Sequence, residues 1–468
     1  MTDRKAMRTI YGACAVLGTA LFACALVRFA DWTYGADTGT FYQVVLHAWS
    51  GMRDGPEHAT HWKFHSSPTL AVLWPLVAAL PSQLTLQVVA IVATLACGPL
   101  VYVYARARTG TDVALRLALV ALLYPALLSI AFEEFHELVL FPALVLGGAI
   151  ALDRRRYGWY ALWAALAIGV REDVSLELAV IMLGLGIYWW KRDRARSVCA
   201  LATATGSAAV LGIYYGIVIP HVGGWQPSHF YVYPFASSPL GVLASIVTAP
   251  ADLLRATVTF GRFTYLLEAF VPLLVLPFRS WVLLCSVPGF GIVLLANSGE
   301  VWRMGEHYAA LWIPFVLLAT VAACASLARK NPARAKRWLD ASIAVCALAL
   351  LATNPMHPLH YLRPGYRDLA DARRALACIP RDAEVDTHDE WYSAIVAAYP
   401  RATIGDLSAP YALFASDYPN RAFATQIAPQ IAALVKRGIL VPICTYGSVR
   451  AYRRTPDGAP PSPSNLVP

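Results

Sequence analysis

A succession of apolar runs, punctuated by short loops rich in arginine and lysine, constrains this chain more than any motif in it. The runs lie near residues 9–30, 84–105, 112–131, 138–152, 157–170, 174–190, 197–219, 263–278, 280–297, 307–328 and 338–353. A helix needs roughly 20 apolar residues to cross the hydrocarbon of a bilayer, so runs approaching that length read as membrane spans. Basic residues collect in alternate loops: Arg106/Arg108, Arg154–Arg156, Lys191/Arg192/Arg194/Arg196, Arg279, and the stretch Arg329 to Arg337. Loops of this kind stay on the cytoplasmic side, which predicts eleven spans with a cytoplasmic N-terminus and an external C-terminal region. Residues 67–81 are apolar but short, and carry Pro68, Pro75 and Pro81. They are expected to form an interfacial or half-inserted helix inside a first outer loop, 31–81.

Only 14% of residues are charged and 58% are hydrophobic, where a soluble chain would carry about 25% charged residues. The net charge of +9 follows the loops rather than forming a patch, so it is a topology signal and no nucleic-acid partner is expected. The first run follows Arg4, Lys5 and Arg8 but lacks a small-residue cleavage site, and is read as a retained helix. Residues 354–454 change character, with short alternating runs at 383–386, 402–405, 412–415 and 439–443 and helical stretches near 366–378, 389–399 and 421–437. This predicts a small soluble α/β domain outside the membrane, followed by a Pro-rich, disordered tail at 455–468. The fold class expected is therefore an α-helical polytopic membrane protein, residues 1–353, with a C-terminal extracytoplasmic α/β domain. Of nine cysteines, seven lie in apolar runs, and only Cys378 and Cys444 fall in the C-terminal region. In an oxidising compartment they could bridge if their elements bring the Cα atoms within about 7 Å; otherwise they are two unpaired thiols.

Four polar constellations border the spans, where charge is costly unless used. The first outer loop holds Asp37, Gly39 and Gln43, then His65-Ser-Ser-Pro68. Asp37 is the candidate general base, with Gly39 permitting close backbone approach and Gln43 orienting a sugar hydroxyl. Phe41, Val44, Val45, Ala48 and Trp49 give this segment an amphipathic period suited to the membrane surface; a solvated loop with an interfacial anchor is the plainer alternative. In Phe132-Glu-Glu-Phe-His-Glu137, a helix would place Glu133, His136 and Glu137 on one face. Together they could ligate a divalent cation such as Mg or Mn, and Glu133 and Glu134 are alternates to Asp37 as base; a polar helix cap is the other reading. Arg171-Glu172-Asp173 lies between two short runs. Arg171 there is either a phosphate clamp or half of a structural ion pair with Glu172 or Asp173. Arg303 and His307 stand four apart before Tyr308, a spacing suited to a phosphate or a sugar hydroxyl if the segment is helical.

With these residues in hand, the chain resembles the domain-of-unknown-function family 2079 of bacterial membrane proteins, itself similar to GT-C glycosyltransferases. The family's Asp-x-Gly-x-Phe-x-Gln segment is matched by Asp37, Gly39, Phe41 and Gln43. Its His-Phe-Ser-Pro segment is matched by His65-Ser-Ser-Pro68, with Ser66 in place of the usual aromatic. His136-Glu137 matches a His-Glu pair, Arg171-Glu172-Asp173 a Lys-Glu-Asp triplet, and His307-Tyr308 a His-Tyr entry to a late span. The resemblance implies transfer of a sugar from a polyprenyl-phosphate donor to a lipid, glycan or protein acceptor at the outer face of the inner membrane. It gives Asp37 the role of base, and His65, Glu137, Arg171, Glu172, Asp173, Arg303, His307 and Tyr308 roles around the substrate, with a divalent cation optional. A non-enzymatic transporter or lipid-binding scaffold is the alternative.

Overall fold

The computed structural model describes residues 2–56, 59–223, 231–352, 362, 365–405, 407–421 and 423–455. Nearly all of the expected tail, 455–468, lies outside them. The chain forms two compact units. The first comprises Met1–Cys24, Trp62–Val72 and Val88–Tyr361, and the second Ala25–His61, Leu73–Gln87 and Leu362–Pro468.

The first unit is helical. Among the described residues of the chain, four helices are long and apolar enough to cross a membrane: Asp3–Ala30, Gln83–Arg106, Arg194–Val222 and Ile313–Lys330. Two bent pairs, Thr111–Leu123 with Pro125–Phe132 at 42° and Pro239–Thr248 with Pro250–Thr257 at 120°, raise the number to six. Several of the eleven expected runs thus come out in pieces, and proline is the usual cause. A residue before proline is pushed out of the α region. Tyr124, preceding Pro125, is accordingly extended at ψ 115° and divides the run at 112–131. The run at 263–278 ends its helix at Phe270, and Leu274 and Val275 then take positive φ values of 50° and 51°. The run at 280–297 is a 3-10 turn, Trp281–Ser286, followed by the short helix Val287–Leu294. The Phe141–Asp153 helix has 13 residues and Tyr157–Ile168 has 12. Each spans under about 20 Å, less than the roughly 30 Å hydrocarbon thickness.

The second unit joins the first loop to the C-terminal region. Its loop part carries the helix Ala36–Leu46 and a hairpin of β1 (Arg53–Asp54) and β2 (Ala59–Thr60). The C-terminal region adds five strands: β3 (Val385–Thr387), β4 (Thr403–Ile404), β5 (Tyr411–Ala415), β6 (Leu440–Tyr446) and β7 (Val449–Arg454). They form one sheet in the order β4-β3-β5-β7-β6. Strand β3 runs parallel to β4 and β5, whereas β7 is antiparallel to both β5 and β6. The expected strand runs fall on β3, β4, β5 and β6. Strand β7 was not foreseen, because Val-Arg-Ala-Tyr-Arg-Arg mixes its buried Val449, Ala451 and Tyr452 with three arginines. Helices Leu369–Leu376, Asp389–Ile395 and Ala428–Lys436 flank the sheet strands in sequence. Cys378 and Cys444 are joined in a disulfide with Cα atoms 6.5 Å apart, closing a separation of 66 residues. A closure of that length removes about 4 kcal/mol of freedom from the unfolded chain.

His388 follows β3 and sits inside an aromatic cage. Its ring stacks on Tyr418 at 3.6 Å and meets Trp391, Phe414 and Phe423 edge-on, while Nε2 accepts the Ala415 amide at 3.0 Å. Burial without a counter-charge pushes this imidazole down to about 3. The unfolded chain takes up that proton near pH 6.5 and the folded one does not, so the stabilisation is present above pH 6.5 and lost as pH falls toward 3. In the limit the loss is on the order of 5 kcal/mol. Amides of β5 should therefore exchange with deuterium progressively faster, relative to intrinsic rates, between pH 6 and pH 3. His388→Gln, which keeps an acceptor but cannot charge, should flatten that dependence; an unchanged pH profile would refute the account.

Candidate functional site

The first unit gathers most of the sequence-expected residues into one buried polar cluster. It begins at Arg171, which caps the helix Glu172–Trp189 in an extended conformation. Arg171 is 1% exposed and Glu172 5%, so both charges need partners inside the protein. The Glu172 carboxylate accepts the Ser66 amide at 2.8 Å and lies 2.8 Å from Nδ1 of His65. Arg171 donates from both Nε and Nη2 to Asp173, a two-point pairing, and its Nη1 stands 3.8 Å from Glu137. The ion-pair reading of Arg171 therefore holds for Asp173. Glu172 instead serves the 65–66 loop, which Thr69 secures by bonding its own N–H to Gly169 at 2.9 Å and its hydroxyl to Leu166 at 2.7 Å.

Glu137 leads to the imidazoles. Nδ1 of His136 lies 2.9 Å from its carboxylate, and the His136 ring stacks on His307 with centroids 3.4 Å apart and planes within 7°. His307 in turn is 3.8 Å from Glu133, and the Tyr308 ring sits 5.0 Å from the Arg171 guanidinium. Arg303 pairs with Glu306. Glu134 is half-buried in the same turn as Glu133.

Two local expectations need correction. Glu133, His136 and Glu137 do not share a helical face. The helix Pro125–Phe132 ends before them, and Glu137 opens a 3-10 turn, Glu137–Leu140, for which His136 is the cap. Arg303 and His307 are likewise not one helical turn apart. Gly305 adopts φ 112°, a conformation that suits only glycine, and the chain reverses there. A set other than Glu133, His136 and Glu137 also offers itself to a cation. Within this unit, Glu133, Glu306 and His307 bring one ligand atom each within 4.8 Å of one another. Two carboxylates and an imidazole suit a hard divalent ion such as Mg or Mn, completed by water. Glu306 was overlooked, although its place three residues after Arg303 and beside His307 is a usable signal.

Asp37 and Gln43 belong to the second unit. Asp37 is exposed in the first turn of Ala36–Leu46. The residues after it hold that helix in place. Gly39 donates its N–H to the Ser393 hydroxyl at 2.9 Å, and a Cβ at this position would fall 2.6 Å from the Tyr392 ring. Phe41 is buried against His61, with ring centroids 5.7 Å apart. Gln43, expected to orient a sugar hydroxyl, donates instead to the Pro400 and Ala402 carbonyls at 3.0 Å and accepts from the Tyr392 hydroxyl at 2.9 Å. Val44 and Val45 are buried too, so the apolar face of this helix packs on protein rather than lying on a membrane surface. Trp49 alone stays open, at 75% exposure.

Burial alone would depress the His65 imidazole, but the adjoining Glu172 carboxylate overrides it and raises the group above its ordinary value. A raised imidazole stabilises the fold fully below its unfolded value near 6.5, and that stabilisation is lost as pH rises through the folded value. Nitrogen-15 histidine spectra of the protein in micelles should show one imidazolium persisting to higher pH than an ordinary histidine. Glu172→Gln should abolish it; persistence in that variant would place the proton elsewhere.

The fold has recognisable neighbours. The structure of ArnT from Cupriavidus metallidurans bound to undecaprenyl phosphate superimposes with a TM-score of 0.56, at 11% identity, over 96% of this chain and 99% of that one. The apo form of the same protein gives 0.51 at 12% identity, with the same coverage. Both are glycosyltransferases of the GT-C fold, and at such identities the likeness is one of fold. No curated protein matches the sequence. The family model described as "Predicted membrane protein (DUF2079)" matches residues 29–393, which include every motif described above. The chain therefore belongs to that family of membrane proteins.

Proposed function

We propose that the protein is an integral-membrane glycosyltransferase that moves a sugar from a polyprenyl-phosphate donor to a lipid, glycan or protein acceptor on the extracytoplasmic face of the bacterial inner membrane. The observation that carries this reading is the buried Arg171 cluster, set in a fold like that of an ArnT solved with undecaprenyl phosphate. Transfer requires an acceptor hydroxyl to attack the anomeric carbon. The bond from that carbon to the phosphate oxygen breaks, its electron pair leaves with the lipid phosphate, and the hydroxyl proton passes to a base. Asp173 occupies two of the Arg171 nitrogens, and Nη1 makes no hydrogen bond among the described residues. That nitrogen is the donor we assign to the departing phosphate, where charge develops as the bond breaks. His307 and Arg303 are second choices. We assign Asp37 as the base, with Glu133 and Glu134 as alternates.

Charge balance favours a cation in this reading. The carboxylates of Glu133, Glu137, Glu172, Asp173 and Glu306 gather around the guanidiniums of Arg171 and Arg303 and the imidazoles of His65, His136 and His307. An anionic donor would enter a cluster already short of positive charge unless imidazoles are protonated. A divalent ion held by Glu133, Glu306 and His307 would supply that charge against the phosphate. It would first have to displace Arg303 from Glu306.

Two expected outcomes test the proposal. In a defined assay with a polyprenyl-phosphate sugar, Asp37→Asn should lower transfer by about two to four orders of magnitude while the protein still inserts. Arg171→Lys, which keeps the charge but not the two-point pairing, should be milder than Arg171→Ala. Wild-type transfer by Asp37→Asn would move the base to Glu133 or Glu134. The topology proposed with this function has eleven crossings, a cytoplasmic N-terminus and an external C-terminal domain. Reporter fusions after Arg156 and after Pro358 should then report opposite sides; the same side for both would exclude it.

A further inference from the structure

Along the Glu172–Trp189 helix, from Leu178 to its C-terminal end at Trp189, the first unit contains a cavity of about 320 Å³. It runs lengthwise between helices. Its lining reaches from Leu144 to Asp153 on one helix and from Leu178 to Tyr188 on another, a course of about 15 Å. Most of its wall is apolar, with Leu144, Leu178, Trp163 and Phe315 among the lining side chains. Trp281 and Tyr188, 52% and 40% exposed with rings 5.0 Å apart, form an edge through which it opens sideways.

One end of this slot is polar and basic. Asp153 accepts from Arg108 at 2.8 Å and from Arg196 at 3.4 Å, and Arg196 also stands 3.4 Å from Asp193. The bordering loops, 154–156 and 191–196, hold seven basic residues against one acid, Asp193. Arginine pairs well with phosphate oxygens, and basic pockets between membrane helices bind anionic head groups. An apolar slot ending in surplus guanidinium, edged by Trp and Tyr, has the complementarity of an amphiphile with one negative head.

We infer that this cavity takes one acyl chain of an anionic phospholipid, with the lipid phosphate seated between Arg108 and Arg196 in competition with Asp153. The site is independent of the transferase reading and involves none of the residues assigned to it.

Full-length protein in mild detergent, mixed with equal phosphatidylglycerol and phosphatidylethanolamine and read by native mass spectrometry, tests this. One phosphatidylglycerol should be retained in preference. Arg108→Gln and Arg196→Gln should each reduce that retention about fivefold. Ala149→Phe, which fills the slot without touching charge, should reduce retention of both lipids. Asp153→Asn should increase phosphatidylglycerol retention, the opposite of what a folding defect would do. Equal retention of the two lipids, unaltered by the arginine variants, would overturn the assignment. Displacement of the lipid by inorganic phosphate alone would instead make this a soluble-anion site. Preference for an isoprenoid phosphate, lost in the same variants, would make it the groove of the donor's tail; either result refutes the proposal.

Discussion

A buried carboxylate has to be surrounded by donors, and in the first unit that requirement is met at Glu172. Its two oxygens engage separate groups of one short loop, the His65 ring and the Ser66 amide. An apolar contact could hold that loop anywhere along a greasy surface; two directed bonds to a charge hold it at one place. Removing either partner would leave the charge uncompensated at a cost of several kcal/mol. The neighbouring Arg171 is bound by the same rule to Asp173, and through Glu137 the rule extends to the stacked imidazoles. The cluster is thus a chain of mutual obligations rather than a set of independent polar residues.

This also explains why a helix as short as Tyr157–Ile168 is tolerated. A short element brings its end, and whatever charges follow it, below the level that water would otherwise occupy. Membrane proteins place such groups deep only where protein or a cavity receives them. Here the receiving groups come from the 65–66 loop, the 133–137 break and the His307 turn.

Much of this was legible in the sequence, and the limits are physical. The apolar runs and the return of alternation after residue 354 announced a helical body and a small sheet, because burial imposes periodicity along the chain. The polar motifs were found because charge beside an apolar run is conspicuous. Their local geometry was less readable: helical spacing assumed for 133–137 and 303–307 failed at a helix end and at Gly305. Gln43 shows the deeper limit. Its partners lie at Tyr392, Pro400 and Ala402, and nothing in a linear pattern says whether a motif glutamine serves a ligand or a neighbour. The same holds for Gly39, whose missing side chain admits Ser393 and Tyr392. Of the four motif positions in that helix, three are spent on holding it and only Asp37 faces outward.

That division of labour has a consequence for biogenesis. The helix Ala36–Leu46 leaves the ribosome well before Tyr392 and Ser393, which follow some 350 residues later. Synthesis at about 5–20 residues per second makes that interval tens of seconds. Until then the Gln43 amide and the Gly39 N–H have none of their final partners, and the apolar flank of Phe41, Val44 and Val45 has no protein to lie against. The nascent helix therefore completes its packing only after residues 392–402 have been made. A chain stalled or cleaved before residue 390 would leave this loop permanently unfinished.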